Sequence, residues 1–230
     1  MFIDAHIHLR HFQSKQKVGE GFKSRSLISI GVNELRSLQL EEGDIKNFFS
    51  NLVKLGGSYT IGVHPWELRQ DGFLEDLKLV RLSLDYDGFR GVGEFGFDRI
   101  KGFDERLQRL SFMEHLDILN ESDKSLAIIH LVKAFDLFER ELANLNSSSS
   151  VKFLLHAYNG GPEQTQKLLK YGNVFFGLGE LLFHSRSKVQ RTLPVVPLNR
   201  LVFETDDTGK DVCEVYDKYL ELSNHSIGLQ

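Results

Sequence analysis

Eight short apolar runs recur along this chain, most of them followed by a longer stretch with helical spacing, and that alternation limits the fold more than any other feature. The runs are Phe2–His6, Ser26–Ile30, Ser58–Val63, Phe89–Glu94, Leu126–His130, Val151–His156, Asn173–Gly177 and Arg200–Glu204. Several are near-continuously apolar, as parallel strands covered on both faces should be. Between them lie the amphipathic stretches "EEGDIKNFFSNLVKL", "GFLEDLKLVRLSLD", "DERLQRLSFMEHLDILN", "AFDLFERELANL", "PEQTQKLLKYG" and "DVCEVYDKYLEL". In the third, Leu107, Leu110, Met113, Leu116 and Leu119 form a stripe of period three. Pro162 opens the fifth and Gly172 closes it, in keeping with helix-end chemistry. Strand and helix repeated about eight times predict an α/β fold, a (β/α)8 TIM-type barrel. The first crossover departs from it, because "RHFQSKQKVGEGFK" reads as loop. The polar "NSSSS" at 146–150 reads as a solvent-side turn, too short to link domains, so residues 1–230 are expected to form one domain.

A chain of 230 residues with 41% hydrophobic content can close such a barrel. Its net charge of −4 argues against a general nucleic-acid coat protein. The single cysteine, Cys213, excludes an internal disulfide and fits a reducing compartment. There is no basic-then-apolar leader pattern at the start, and no apolar run near the ~20 residues that span a bilayer. A cytoplasmic protein without membrane contact is the expectation.

Metal-capable side chains follow these runs, and barrel active sites lie at the C-terminal ends of strands. Asp4, His6 and His8 alternate in "FIDAHIHL", so they share one face of the first strand, with the two imidazoles about 7 Å apart at ~3.3 Å rise per residue. Alone, that pair is equally well a hydrogen-bonded core histidine beside an exposed one. Downstream, His64 follows the third run, Glu94 the fourth, His130 the fifth, His156 the sixth and Asp206 the eighth. Chance would scatter the nine histidines, as it does His11, His115, His184 and His225, which read as surface or loop residues. Excluding His64, four imidazoles and two carboxylates exceed one tetrahedral site. They suffice for two divalent ions about 3.5–4 Å apart, with Glu94 as bridge, His6, His8 and Asp206 on one ion, and His130 and His156 on the other. Imidazole-rich sites suit Zn, Mn, Co or Ni better than Mg. Asp206 is placed to hold the attacking water and take its proton.

"DAHIHL", "IGVHPW", "GEFGFD", "IIH", "HAYNGG" and "ETD", in this order, resemble the TatD-type deoxyribonucleases, a branch of the amidohydrolase-like barrels, from Phe2 to about Tyr219. The resemblance implies metal ligands at His6, His8, Glu94, His130, His156 and Asp206, a further active-site histidine facing substrate at His64, and Zn, Mn or Mg as the ions. It also marks departures. Lys133 stands one place later than the family's arginine, "ETDDT" puts Asp207 where a small residue is usual and lacks the proline, and the family's closing C-terminal helix has no counterpart after "ELSNHSIGLQ". The barrel is therefore expected to be slightly reduced.

The function so implied is a two-metal deoxyribonuclease, a 3′–5′ exonuclease-like phosphodiesterase acting as a monomer on single-stranded or end-exposed DNA. Hydrolysis of a small amide, lactone or phosphoester by the same machinery is the alternative. A non-catalytic metal-holding relic fits less well with an intact ligand set. For phosphate contacts the candidates are Arg10 and His11, Lys133, and the cluster His184, Arg186, Lys188 and Arg191, which is also readable as a solvated helix face. Phe12, Trp66 and Tyr158 are candidates for base stacking, although packing is the better reading for Trp66.

Overall fold

A computed structural model describes residues 2–17, 24–145 and 150–227. Eight parallel strands pair in sequence order: β1 (Phe2–His8), β2 (Ser24–Gly31), β3 (Gly57–Gly62), β4 (Phe89–Asp98), β5 (Leu126–Val132), β6 (Lys152–Leu155), β7 (Val174–Leu178) and β8 (Leu201–Phe203). The barrel closes just past β8, where Ile7 pairs in parallel with Asp206. There the Asp206 N–H donates to His6 O at 2.9 Å. Buried Asp4 bolts the same seam, accepting the Thr205 N–H at 3.0 Å and the Thr205 hydroxyl at 2.6 Å. Asp4 of the alternating triplet therefore serves closure, while His6 and His8 point to the strand end.

One expected reduction is corrected. A helix, α1 (Leu9–Lys17), occupies the first crossover. The crossover is short and mostly polar, yet two apolar residues three apart, Leu9 and Phe12, anchor the helix with almost no exposure. The helix expected in "DVCEVYDKYLEL" is present and extends further than that stretch, over Val212–Ile227. Residues 146–149 of "NSSSS" lie outside the described residues. No helix among the described residues is long and apolar enough to cross a membrane.

The helix after β4, Glu105–Asn120, starts on Asp104, whose carboxylate accepts the N–H groups of Arg106 and Leu107. Its buried face runs through Gln108, Ser111, Phe112, His115, Leu116 and Leu119. The period-three stripe drifts around the helix face, so Leu110 and Met113 are about half exposed while Leu116 and Leu119 are buried. An α-helix turns every 3.6 residues, so a strict three-residue stripe drifts off the core side.

His115, expected at the surface, is fully buried on that face. It stacks on Phe95 at 4.6 Å between ring centroids, its Nε2 accepts the Val63 N–H at 3.0 Å, and its Nδ1 lies 2.7 Å from Ser111 O. Burial pushes its pKa down to about 4 from 6.5. Between those values the unfolded chain binds more protons than the folded one, so this contribution to stability is complete above 6.5 and is lost as pH falls towards 4. Each unit of depression is worth about 1.4 kcal/mol at most. His115→Gln keeps an acceptor for Val63 but does not titrate. Urea unfolding at about pH 7 and pH 5 should show a flatter acid slope for the variant, and parallel slopes would place the acid sensitivity elsewhere.

Candidate metal centre

The chemistry gathers at the C-terminal rim of the barrel. His6 and His8 end β1, His64 follows β3, Glu94 lies in β4, His130 in β5, His156 follows β6 and Asp206 follows β8. Close approach of the strands places Glu94 at the centre. A Cβ on Gly62 would lie 2.7 Å from Glu94 O, and one on Gly96 would lie 2.3 Å from His130 O. Only residues without a side chain let β3, β4 and β5 pack this tightly there.

Glu94 turns its two oxygens to different partners. Oε1 lies 3.2 Å from His6 Nε2 and 3.4 Å from His8 Nε2. Oε2 lies 2.8 Å from His156 Nε2, 3.7 Å from His64 Nε2 and 3.8 Å from His130 Nδ1. Asp206 Oδ1 stands 3.2 Å from His8 Nε2 and 3.5 Å from His6 Nε2. Asp206 adopts φ 51, a left-handed backbone that aspartate tolerates better than most residues.

These contacts set the charges. Burial pushes His6 down, but Glu94 and Asp206 outweigh it and hold the imidazole well above its usual pKa. The same balance raises His8 and His130. Glu94 is pushed up by burial, yet His156 and His6 hold it well below the carboxylate range. His64, with burial dominant, falls to about 3. The six expected ligands fit divalent cations. No hydrogen bond reaches either ring nitrogen of buried His6 or the Nδ1 of His156, and an imidazole nitrogen buried without a partner is costly unless something occupies its lone pair. Among the described residues, three clusters bring ligand atoms within 4.8 Å of one another: His6, His156 and Asp206; His6, His8 and Glu94; and His64, Glu94 and His130.

The cavity above the cluster measures about 630 Å³. Its wall includes Arg10, Glu34, Trp66, Glu67 and Asp207 but not Lys133, Arg186 or Lys188. Those three are exposed, and the Lys133 carbonyl faces Arg99 Nη1. The stacking candidates are corrected. Phe12 and Tyr158 are buried, with the Tyr158 hydroxyl on Thr165 Oγ1 at 2.7 Å. Trp66, expected to pack, is half exposed at the rim. His184 is exposed as expected, His11 is half-buried against Asp207 at 2.8 Å, and the side chain of His225 lies outside the described residues.

Two residues of the site escaped the sequence reading. Asp98 Oδ2 accepts the Trp66 indole N–H at 2.7 Å and lies 3.0 Å from His130 Nε2, while its Oδ1 accepts the Ile100 and Lys101 N–H groups. It thereby fixes the His130 ring with Nδ1 turned inward, as a carboxylate behind a metal-binding histidine does. The signal was present, since Asp98 ends "GEFGFD" four residues after Glu94, on the same strand face. Glu204 of "ETD" is fully buried, accepts the Ala157 N–H, and burial pushes its pKa up to about 8.

The family model described as TatD related DNase matches residues 3–216. An uncharacterized metal-dependent hydrolase of Buchnera aphidicola is 29% identical over 70% of this chain and 64% of its own length. YcfH of Escherichia coli, also described as an uncharacterized metal-dependent hydrolase, is 28% identical over 64% of this chain and 54% of its own. The match thus spans less than two thirds of these relatives. Among solved structures, YjjV, a TatD homologue from Escherichia coli, superposes with a TM-score of 0.71 at 20% identity, covering 96% of this chain and 90% of that one. A TatD family hydrolase from Entamoeba histolytica gives 0.65 at 22% identity, covering 89% and 73%. At these identities the structural likeness speaks for the fold.

Proposed function

The chain belongs to the TatD related DNase family, and on that premise we propose that it is a metal-dependent phosphodiesterase that trims DNA from an exposed end. The supporting observation is the position of Glu94, with Oε1 turned to His6 and His8 and Oε2 to His156 and His130. One carboxylate between two imidazole pairs suits two cations, the first held by His6, His8 and Asp206, the second by His130 and His156. The donor set favours Zn or Mn over Mg. When bound, such ions neutralise a phosphodiester oxygen and acidify a water.

The chain's own groups then divide the work. Asp98 keeps the His130 proton on Nε2, leaving the Nδ1 lone pair facing the cluster. His64 Nδ1 accepts the Trp66 N–H at 3.2 Å, so the neutral ring carries its proton on Nε2, which faces inward. His64 Nε2 lies 3.1 Å from His130 Nδ1, and once a cation takes the His130 lone pair the His64 N–H is free to donate to a substrate oxygen. The Asp206 side chain is 27% exposed against 4% for Glu94, so it reaches the cavity and can take the proton of the attacking water.

The size of the cavity falls in the small-ligand range and suits a strand end rather than a duplex. Glu34, Glu67 and Asp207 in its wall favour the alternative, a small ester or amide, because anionic walls repel a polyanion. Linear single-stranded DNA, circular single-stranded DNA and a simple phosphodiester, each with Mn, Zn or Mg, separate the readings. We expect linear strands to shorten and circles to persist. Equal cleavage of both would remove end recognition, and turnover of the small ester alone would leave only a metallohydrolase.

A further inference from the structure

Arg10 is the one lysine or arginine among the described residues that line the site cavity. It is not free. Its Nε donates to Asp207 Oδ1 at 2.8 Å and its Nη2 to Asp207 Oδ2, a two-pronged contact across the barrel seam. His11 Nε2 lies 2.8 Å from the same Oδ1. A guanidinium fork grips phosphate in this same planar, bidentate manner.

We propose that Arg10 and His11 form a subsite for a phosphate flanking the scissile bond, and that Asp207 occupies it until substrate arrives. The inference rests on reading the cavity as a phosphodiester site and narrows the substrate to short ends bearing a terminal phosphate. Three features support it. The pair is solvent-exposed, with Arg10 at 66% and Asp207 at 45%, so little holds it together against a competing dianion. Asp207 also borders a second cavity, of about 410 Å³, lined by Lys210 together with Glu180 and Glu214, so the displaced carboxylate has room to turn away and a lysine to meet. With Glu34 and Glu67 on the wall and the histidines at the metal cluster, no second lysine or arginine among the described residues lines the cavity to take a flanking phosphate.

The probe is a phosphorothioate-linked thymidine dinucleotide with either a 5′-phosphate or a 5′-hydroxyl, bound to the zinc-loaded chain and followed by calorimetry, with zinc content measured alongside. Asp207→Asn should tighten the 5′-phosphorylated probe about tenfold, the worth of one charge-assisted hydrogen bond, and leave the 5′-hydroxyl probe unchanged. Adding Arg10→Gln should abolish that gain. Equal tightening of both probes, or a gain that survives Arg10→Gln, would mean that Asp207 acts only as a diffuse negative charge, and the subsite falls. Cleavage of linear DNA is scored separately. A chain that cuts no DNA but shows the Arg10-dependent gain keeps the subsite and loses the nuclease reading, whereas cutting without the gain does the reverse.

Discussion

Asp206→Asn should leave the barrel folded and most of its metal in place, and lower turnover of a phosphodiester by a factor of about 10² or more, in the range for loss of a general base. The amide matches the carboxylate in shape, so the Ile7 bridge and the backbone bond to His6 O survive. What is lost is an acceptor able to take a proton. Burial would raise the pKa of Asp206, but the His6 and His8 imidazoles beside its Oδ1 keep it well below the ordinary carboxylate range. Imidazoles that bind a cation give up their protons, which frees the Asp206 oxygens for water. Turnover, metal content and circular dichroism on one preparation decide the point. A folded, metal-loaded variant with undiminished turnover would remove Asp206 as the base.

Glu94→Gln should have the largest effect on composition, taking purified protein from two metal equivalents to one or fewer and abolishing activity with them. Unit charges 4 Å apart interact by about 4 kcal/mol at an effective dielectric of ~20, and two divalent ions repel several times more strongly. A bridging carboxylate offsets that repulsion, and a neutral amide does so poorly. The position tolerates the amide sterically, because Glu94 is already enclosed by His6, His8, His130 and His156. Elemental analysis after dialysis is the measurement, and unchanged stoichiometry would refute the bridging role.

Much of the fold was legible because it depends on local pattern. Parallel strands buried on both faces need continuous apolar runs, and all eight were found close to their observed bounds. The first helix is not legible from local pattern, because in a short, mostly polar crossover its two anchors, Leu9 and Phe12, give only a weak signal. In Glu105–Asn120 the leucine positions alone do not locate the inner face, because buried Gln108 and His115 lie on it while Leu110 lies outside.

The site divides in the same way. Which side chains stand at strand ends follows from sequence, because a strand of known length delivers its last residue to the rim. The chain alone thus named His6, His8, His64, Glu94, His130, His156 and Asp206 as neighbours, and the structure brings them to one cavity rim. Their second partners depend on residues far apart in the chain. Asp98 reaches His130, Asp4 reaches Thr205, and Asp207 reaches Arg10 across 197 positions. The cavity wall was equally beyond local pattern. Lys133, Arg186 and Lys188 carry the charge expected for phosphate yet face elsewhere, while Trp66, Glu34 and Glu67 border the opening. Periodicity fixes the direction of a side chain relative to its own element. Only closure of the barrel, which brings the first strand beside the last, decides what it meets.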